Sequence, residues 1–210
     1  VRWTVLVPTK SLPEAKSRLL GSSDPESHAR LVAAIRADTT AAARSARGVG
    51  RLVLVIDRAD SGTGGSGDEV LVQSAPGLNA ALREGAAFAA ERWPDDGVAA
   101  LVGDLPALRP DELADALEHA ARTPRGYVAD APGTGTTLLT TRDAATLEPA
   151  FGDGSAARHG ATAALLPAGA GLRHDVDTPA DLSRALELGV GPATLAATAT
   201  RLLEVRPDSA

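Results

Sequence analysis

Trp3-Thr4-Val5-Leu6-Val7 runs straight into Pro8-Thr9-Lys10-Ser11-Leu12-Pro13-Glu14-Ala15-Lys16-Ser17-Arg18-Leu19. A short unbroken apolar run that gives way to Pro and basic residues is the pattern of a strand buried on both faces, ending in a loop at the sheet edge. The same alternation continues along the chain. Strands are expected at 3–7, 51–56, 69–73, 98–102, 126–130, 137–141 and 171–174, and helices at 25–46, 77–93, 110–121, 154–166, 178–188 and 192–204. Two helix starts carry local signals. Pro25 and Glu26 follow Asp24, and Thr178-Pro179-Ala180-Asp181 has the form of a capping box with Pro at the first helical position. Continuous apolar strands alternating with helices imply an α/β fold, a single three-layer α/β/α domain over residues 1–210 with a mainly parallel, twisted sheet.

Composition narrows the function classes. The 210 residues carry 21 Lys+Arg against 27 Asp+Glu, a net charge of −6, with no Cys and no Met. An acidic chain lacks the basic face of a general nucleic-acid binder. Without Cys there is no disulfide framework, Zn–thiolate site or thiol nucleophile. No apolar run reaches the ~18 residues of a membrane span, and Val1-Arg2-Trp3-Thr4-Val5 reads as the start of a strand rather than a signal peptide. A cytoplasmic protein is the expectation. Only two of the basic residues are lysines, Lys10 and Lys16; the rest are arginines. A GC-rich coding sequence explains the scarcity, but both lysines fall in the loop after the first strand, where a compact ammonium suits phosphate.

One glycine pattern misleads. Gly62, Gly64 and Gly67 match G-x-G-x-x-G, yet a dinucleotide fingerprint must leave a strand and open a helix. Here the glycines lead into the next expected strand. No Walker A sequence occurs either.

Four clusters fall at strand exits, where open α/β sheets bind ligands. Lys10, Lys16 and Arg18 could surround a triphosphate; they could equally be ordinary surface charges. Gly103-Asp104-Leu105-Pro106 ends the run 98–102, and a carboxylate there suits Mg²⁺ or a turn before Pro. In His174-Asp175-Val176-Asp177-Thr178-Pro179, an extended backbone puts Asp175 and Asp177 on one side; Asp177 either shares a metal with Asp104 or complements a helix start. Gly133-Thr134-Gly135-Thr136-Thr137 and Phe151-Gly152-Asp153-Gly154-Ser155-Ala156-Ala157-Arg158-His159 let backbone N–H groups approach a small anion, or form a turn and a Ser cap. The four histidines show no zinc-hydrolase spacing, and no G-x-S-x-G elbow is present. A reaction whose nucleophile is already an anionic phosphate needs neither, since positioning and charge neutralisation carry it.

Taken in order, Val7-Pro8-Thr9-Lys10 with Ala15-Lys16-Ser17-Arg18-Leu19, Gly103-Asp104-Leu105-Pro106-Ala107-Leu108, Gly133-Thr134-Gly135-Thr136-Thr137-Leu138, the 151–159 segment and Asp175-Val176-Asp177-Thr178-Pro179-Ala180-Asp181-Leu182 resemble the phosphoenolpyruvate or 2-phospho-L-lactate guanylyltransferases, which make the precursor of coenzyme F420. The resemblance covers nearly the whole chain. It implies a nucleotide-diphospho-sugar transferase (GT-A-like) fold, with GTP and a small phosphorylated three-carbon acid as substrates. Lys10 and Lys16, supported by Arg18, would lie on the GTP phosphates beside Pro8. Asp104 and Asp177 would hold Mg²⁺. Thr137, Gly152 and Ser155 would take the acceptor carboxylate, and Asn79, in Pro76-Gly77-Leu78-Asn79, would face the nucleobase side. The alternatives are another nucleotidyltransferase or a metal-dependent glycosyltransferase of this fold, and a non-catalytic nucleotide-binding domain. No nucleic-acid or membrane partner is expected. The apolar face of 192–204 leaves intramolecular packing and a homodimer both open.

Overall fold

The computed structural model describes residues 1–9, 25–57 and 68–204. Lys10, Lys16, Arg18 and the glycine-rich segment lie outside the described residues. The elements are β1 (Trp3–Thr9), α1 (Pro25–Ser45), β2 (Val49–Ile56), β3 (Glu69–Val72), α2 (Leu78–Arg92), β4 (Gly97–Leu101), α3 (Pro110–Ala120), β5 (Arg125–Ala129), β6 (Thr136–Thr141), α4 (Ser155–Gly160), β7 (Ala164–Leu165), α5 (Ala170–Arg173), α6 (Pro179–Leu188) and α7 (Pro192–Glu204).

The strands form one seven-stranded sheet in the order β3-β2-β1-β4-β6-β5-β7. The pairs β1–β2, β1–β4, β2–β3 and β5–β7 are parallel, whereas β6 runs antiparallel to both β4 and β5. Strand periodicity separates the two faces. Trp3, Val5 and Val7 join Leu52, Leu54 and Leu101 against α1 and α3, through Ala42, Ala43, Leu113 and Leu117. Leu6, Val53, Val55, Val98 and Ala100 meet Ala81, Leu82, Ala86 and Ala89 of α2 on the other face. The expected three-layer α/β arrangement with a mainly parallel sheet is therefore present.

Two expected elements differ. The segment 171–174 is no strand: residues Ala170–Arg173 make a single helical turn. A side chain at Gly171 would place its Cβ 2.2 Å from the Ala107 carbonyl oxygen, so only glycine permits this close approach, and the Gly171 N–H donates to Glu112 Oε1 at 3.1 Å. The helix expected over 154–166 stops at Gly160, and Ala164–Leu165 then pairs with β5. Helix α4 therefore has six residues, too few for much of a dipole. The face of α7 packs within the chain onto α1, where Asp38 accepts hydrogen bonds from the N–H groups of Ala193 (3.1 Å) and Thr194 (2.7 Å). Among the described residues no helix is long and apolar enough to cross a membrane.

Candidate active site

The carboxyl ends of β1 and β4 and the amino end of antiparallel β6 share one sheet edge. In register, Leu6 of β1 lies opposite Ala100 of β4, and Leu101 opposite Leu138 of β6. Pro8 and Thr9 thus finish beside Gly103, whose backbone approaches so closely that a Cβ there would lie 3.4 Å from the Pro8 carbonyl oxygen.

Asp104 is fixed from both sides. Its carbonyl accepts the Val176 N–H at 3.1 Å. The next amide, Leu105 N–H, donates at 3.0 Å to the hydroxyl of Thr39, itself buried in α1 and bonded to the Ile35 carbonyl. Val176 is fully buried with Leu31, Ile35, Ala107, Leu182 and Ala185. Anchoring Val176 sets Asp175 and Asp177 on either side of it, next to Asp104. The turn that follows is organised by Asp181, whose Oδ2 accepts from the Asp177 N–H (3.2 Å), the Thr178 N–H (2.8 Å) and the Thr178 hydroxyl (2.8 Å). Burial would raise the Asp181 carboxyl, but these bonds win and hold it below the ordinary carboxylate range. The expected capping box is therefore in place.

The carboxylates interact strongly. The Asp175 carboxyl is pushed up to about 7, first by burial, then by the negative charges of Asp104 and Asp177, with a further contribution from Asp130. Asp104, Asp175 and Asp177 thus lie close enough to feel one another's charge, and carboxylate oxygens are the donors a hard divalent cation takes. Among the described residues no group of three or more His, Cys, Asp or Glu is placed to hold a metal ion.

A second pocket edge begins at Thr137. Val128 pairs with Leu138 and Ala129 with Thr136, so the register shifts and leaves Thr137 opposite no residue of β5. Bulges of this kind re-aim a side chain. The Thr137 carbonyl accepts the Val102 N–H at 3.0 Å, tying it to the strand end that carries Asp104. Its hydroxyl is fully buried and has no hydrogen-bond partner among the described residues, and such a group costs stability unless something else satisfies it.

The 150–156 segment is docked on this edge. His159 Nδ1 lies 2.9 Å from the Thr136 hydroxyl, and its Nε2 accepts the Ala150 N–H at 3.0 Å. A backbone N–H can only donate, so Nε2 is unprotonated and Nδ1 carries the ring proton, a tautomer fixed by these bonds. Burial first, then the positive charges of Arg158 and Arg125, lower the His159 pKa to about 4. Gly152 and Gly154 turn the chain with φ of 117° and 70°, values that side chains rarely adopt. Ser155 is buried, and the Ala156 N–H bonds to the Thr134 carbonyl at 3.0 Å.

Two expectations change in detail. Asn79 engages both ends of its amide on one residue: Nδ2 donates to the Phe151 carbonyl (3.1 Å) and Oδ1 accepts the Phe151 N–H (2.9 Å), 72 positions along the chain. It clamps the segment that presents Gly152. In the Gly133–Gly135 turn, the N–H groups of Thr134 and Gly135 both bond the Asp130 carboxylate at 2.8 Å. That turn is already filled by an internal carboxylate and does not offer those N–H groups to a ligand. Asp130, Thr39 and Arg158 emerge as residues that shape the site. Asp130 carried a local signal, an acid opening the turn Asp130-Ala131-Pro132-Gly133; Thr39 carried none.

The sheet order defines an α/β protein with its candidate site at the strand edge. A structure from Desulfovibrio desulfuricans G20 assigned to the nucleotide-diphospho-sugar transferases shares the fold with a TM-score of 0.75 at 16% identity, over 96% of this chain and 95% of that one. A Mycobacterium tuberculosis H37Rv protein solved in complex with manganese is similar at a TM-score of 0.58 and 23% identity, over 89% of this chain and 99% of that one. Sequence narrows the class. The profile of the guanylyl transferase CofC-like family matches residues 3–170. The phosphoenolpyruvate guanylyltransferase of Streptomyces coelicolor is 47% identical over 97% of this chain and 98% of its own length. The chain belongs to the guanylyl transferase CofC-like family.

Proposed function

We propose that this chain is a phosphoenolpyruvate guanylyltransferase, acting as one nucleotidyltransferase domain over residues 1–210 in coenzyme F420 biosynthesis in the cytoplasm. It transfers the guanylyl group of GTP to the phosphate of phosphoenolpyruvate. An oxygen of the acceptor phosphate bonds to the α-phosphorus of GTP, the bond from that phosphorus to the β-bridging oxygen breaks, and pyrophosphate leaves with the electron pair. The observation that carries this reading is the joining of Asp104 to the Asp175–Asp177 segment through the Val176–Asp104 backbone bond, beside the orphaned Thr137 hydroxyl.

Each part of the site has a task in this reading. Asp104 and Asp177 hold the divalent cation, which we take to be Mg²⁺. When bound, such an ion supplies charge neutralisation on the phosphates. Lys10 and Lys16, with Arg18, neutralise the triphosphate and the departing pyrophosphate, next to Pro8. The Thr137 hydroxyl and the backbone N–H groups of Gly152, Asp153 and Gly154, just ahead of Ser155, hold the acceptor carboxylate, which leaves the acceptor phosphate facing the nucleotide. No general base is needed, because a phosphomonoester is largely ionised at pH 7 with its second pKa near ~6. Asn79 supports the acceptor side through Phe151.

The relatives named phosphoenolpyruvate guanylyltransferase support phosphoenolpyruvate over 2-phospholactate as the acceptor. Incubation with GTP and Mg²⁺, with each of phosphoenolpyruvate, 2-phospholactate and 3-phosphoglycerate in turn, tests the reading. Pyrophosphate should appear with phosphoenolpyruvate and stay at background without an acceptor. Release that ignores all three acids would refute it.

A further inference from the structure

The Ala150–Ser155 turn is unusual in how its backbone polar groups are shared out. Arg158 gathers the carbonyls: Nε and Nη2 donate to Ala150 O at 3.1 and 2.9 Å, Nη2 to Gly152 O at 3.2 Å, and Nη1 to Asp153 O at 2.6 Å. Asn79 takes the remaining carbonyl, that of Phe151. On the donor side, the Ala150 N–H goes to His159, the Phe151 N–H to Asn79 and the Ser155 N–H back to Gly152 O. The N–H groups of Gly152, Asp153 and Gly154 have no partner among the described residues. Every carbonyl from 150 to 153 is therefore occupied, while three consecutive N–H groups are left for something else.

We propose that Arg158 is a positioning residue for the acceptor: by drawing the turn's carbonyls onto its guanidinium, it holds the N–H groups of residues 152–154 as a nest for the carboxylate of the three-carbon acid. This rests on the acceptor site assigned above. Successive N–H groups in a turn can form an anion-binding concavity, and Gly152 and Gly154 turn this one with φ of 117° and 70°. The guanidinium lies close against the turn: Cβ atoms built on Gly152 and Gly154 would sit 3.8 and 3.6 Å from its nitrogens. Its charge adds favourable potential for an anion without touching it. A planar fork can bridge three carbonyls, which a lysine ammonium cannot do in the same geometry.

The test is a steady-state comparison of the full chain with its Arg158→Gln and Arg158→Lys variants, varying phosphoenolpyruvate and GTP separately and following pyrophosphate. Arg158 is an exposed side chain, so the variants keep the core, and the KM for GTP serves as the internal check on folding. Loss of charge-assisted bonds to the turn should raise the KM for phosphoenolpyruvate at least about tenfold in Arg158→Gln, with the KM for GTP unchanged. Arg158→Lys should fall between wild type and Arg158→Gln. A merely structural role would lower the amount of active enzyme and leave both KM values alone. That result, or an equal rise in both, would overturn the proposal while leaving the guanylyltransferase reading intact. Wild type that releases no phosphoenolpyruvate-dependent pyrophosphate would overturn that reading, and this inference with it.

Discussion

The main-chain N–H of Val176 donates to the carbonyl oxygen of Asp104 across 3.1 Å. The bond joins the end of β4 to the loop before α6, two segments far apart in sequence that each carry carboxylates. Because it is a backbone bond, side-chain substitution at Asp104 does not remove it, and the chemistry of the carboxylate can be separated from the architecture.

Asp104→Asn and Asp177→Asn are therefore expected to fold and fail. A metal at developing phosphate charge contributes several kcal/mol, so turnover should fall ~10²-fold or more. Circular dichroism and thermal melting should stay close to wild type, since neither carboxylate contributes to the core.

Thr39→Val separates support from chemistry in the opposite sense. The Thr39 hydroxyl is the acceptor for the Leu105 N–H at 3.0 Å, and valine leaves that buried donor unpaired at a cost of about 1–3 kcal/mol. A lowered Tm together with reduced turnover is the expected pair of results, because Leu105 is the neighbour that holds Asp104 in place.

Thr137→Val reverses the usual cost of a core polar change. The hydroxyl is buried without a partner among the described residues, so a methyl of similar shape should leave Tm unchanged or raise it. The KM for the acceptor should rise. A drop in Tm with an unaltered KM would mean that the hydroxyl serves packing instead of substrate.

Asp96 provides a control remote from the site. Its carboxylate is almost wholly buried and accepts from Arg2 Nε (2.7 Å), the Thr4 hydroxyl (3.1 Å) and Arg51, just before β4 begins. Asp96→Ala leaves the buried Thr4 hydroxyl unpaired and should cost about 2–3 kcal/mol, seen as a lower midpoint in urea. Turnover per folded molecule should be unaffected, because Asp96 and Asp104 lie at opposite ends of β4.

His159 sets a pH dependence of stability. Its folded pKa is lowered to about 4 from the ordinary imidazole value of 6.5. Between those values the unfolded chain binds a proton that the native chain refuses, so stability rises with pH. The contribution is complete above pH 6.5 and is lost as the pH falls toward 4, amounting to about 3 kcal/mol at most. Urea midpoints at pH 7 and 5 should differ in wild type, and less so in His159→Asn.

The fold was legible because buried parallel strands announce themselves. The runs 52–56 and 98–101 are apolar without interruption and lie inside the sheet. Other features left no such trace. Strand β6 has the same apolar pattern whichever way it runs, so its antiparallel direction is a property of the tertiary fold. Strand β7 has two residues, both exposed, too few to show a period. The turn at Ala170–Arg173 is decided by the contact of Gly171 with Ala107 and Glu112, which no local pattern records. In the site, the strand-exit acids were visible as chemistry at an edge. The Asn79–Phe151 clamp and the Thr39–Leu105 bond join distant segments through ordinary residues, and Asn79 drew attention only through its resemblance to a nucleotide loop.

The central claim is guanylyl transfer onto a phosphorylated acid at the edge shared by Asp104, Asp177 and Thr137. The most direct measurement is the ³¹P spectrum of GTP, Mg²⁺ and phosphoenolpyruvate incubated with the full chain. The account predicts a new pair of coupled diphosphate resonances, formed from the GTP α-phosphorus and the acceptor phosphorus, growing in step with pyrophosphate. Loss of GTP with only GMP, GDP or inorganic phosphate formed, and the acceptor resonance unchanged, would contradict it.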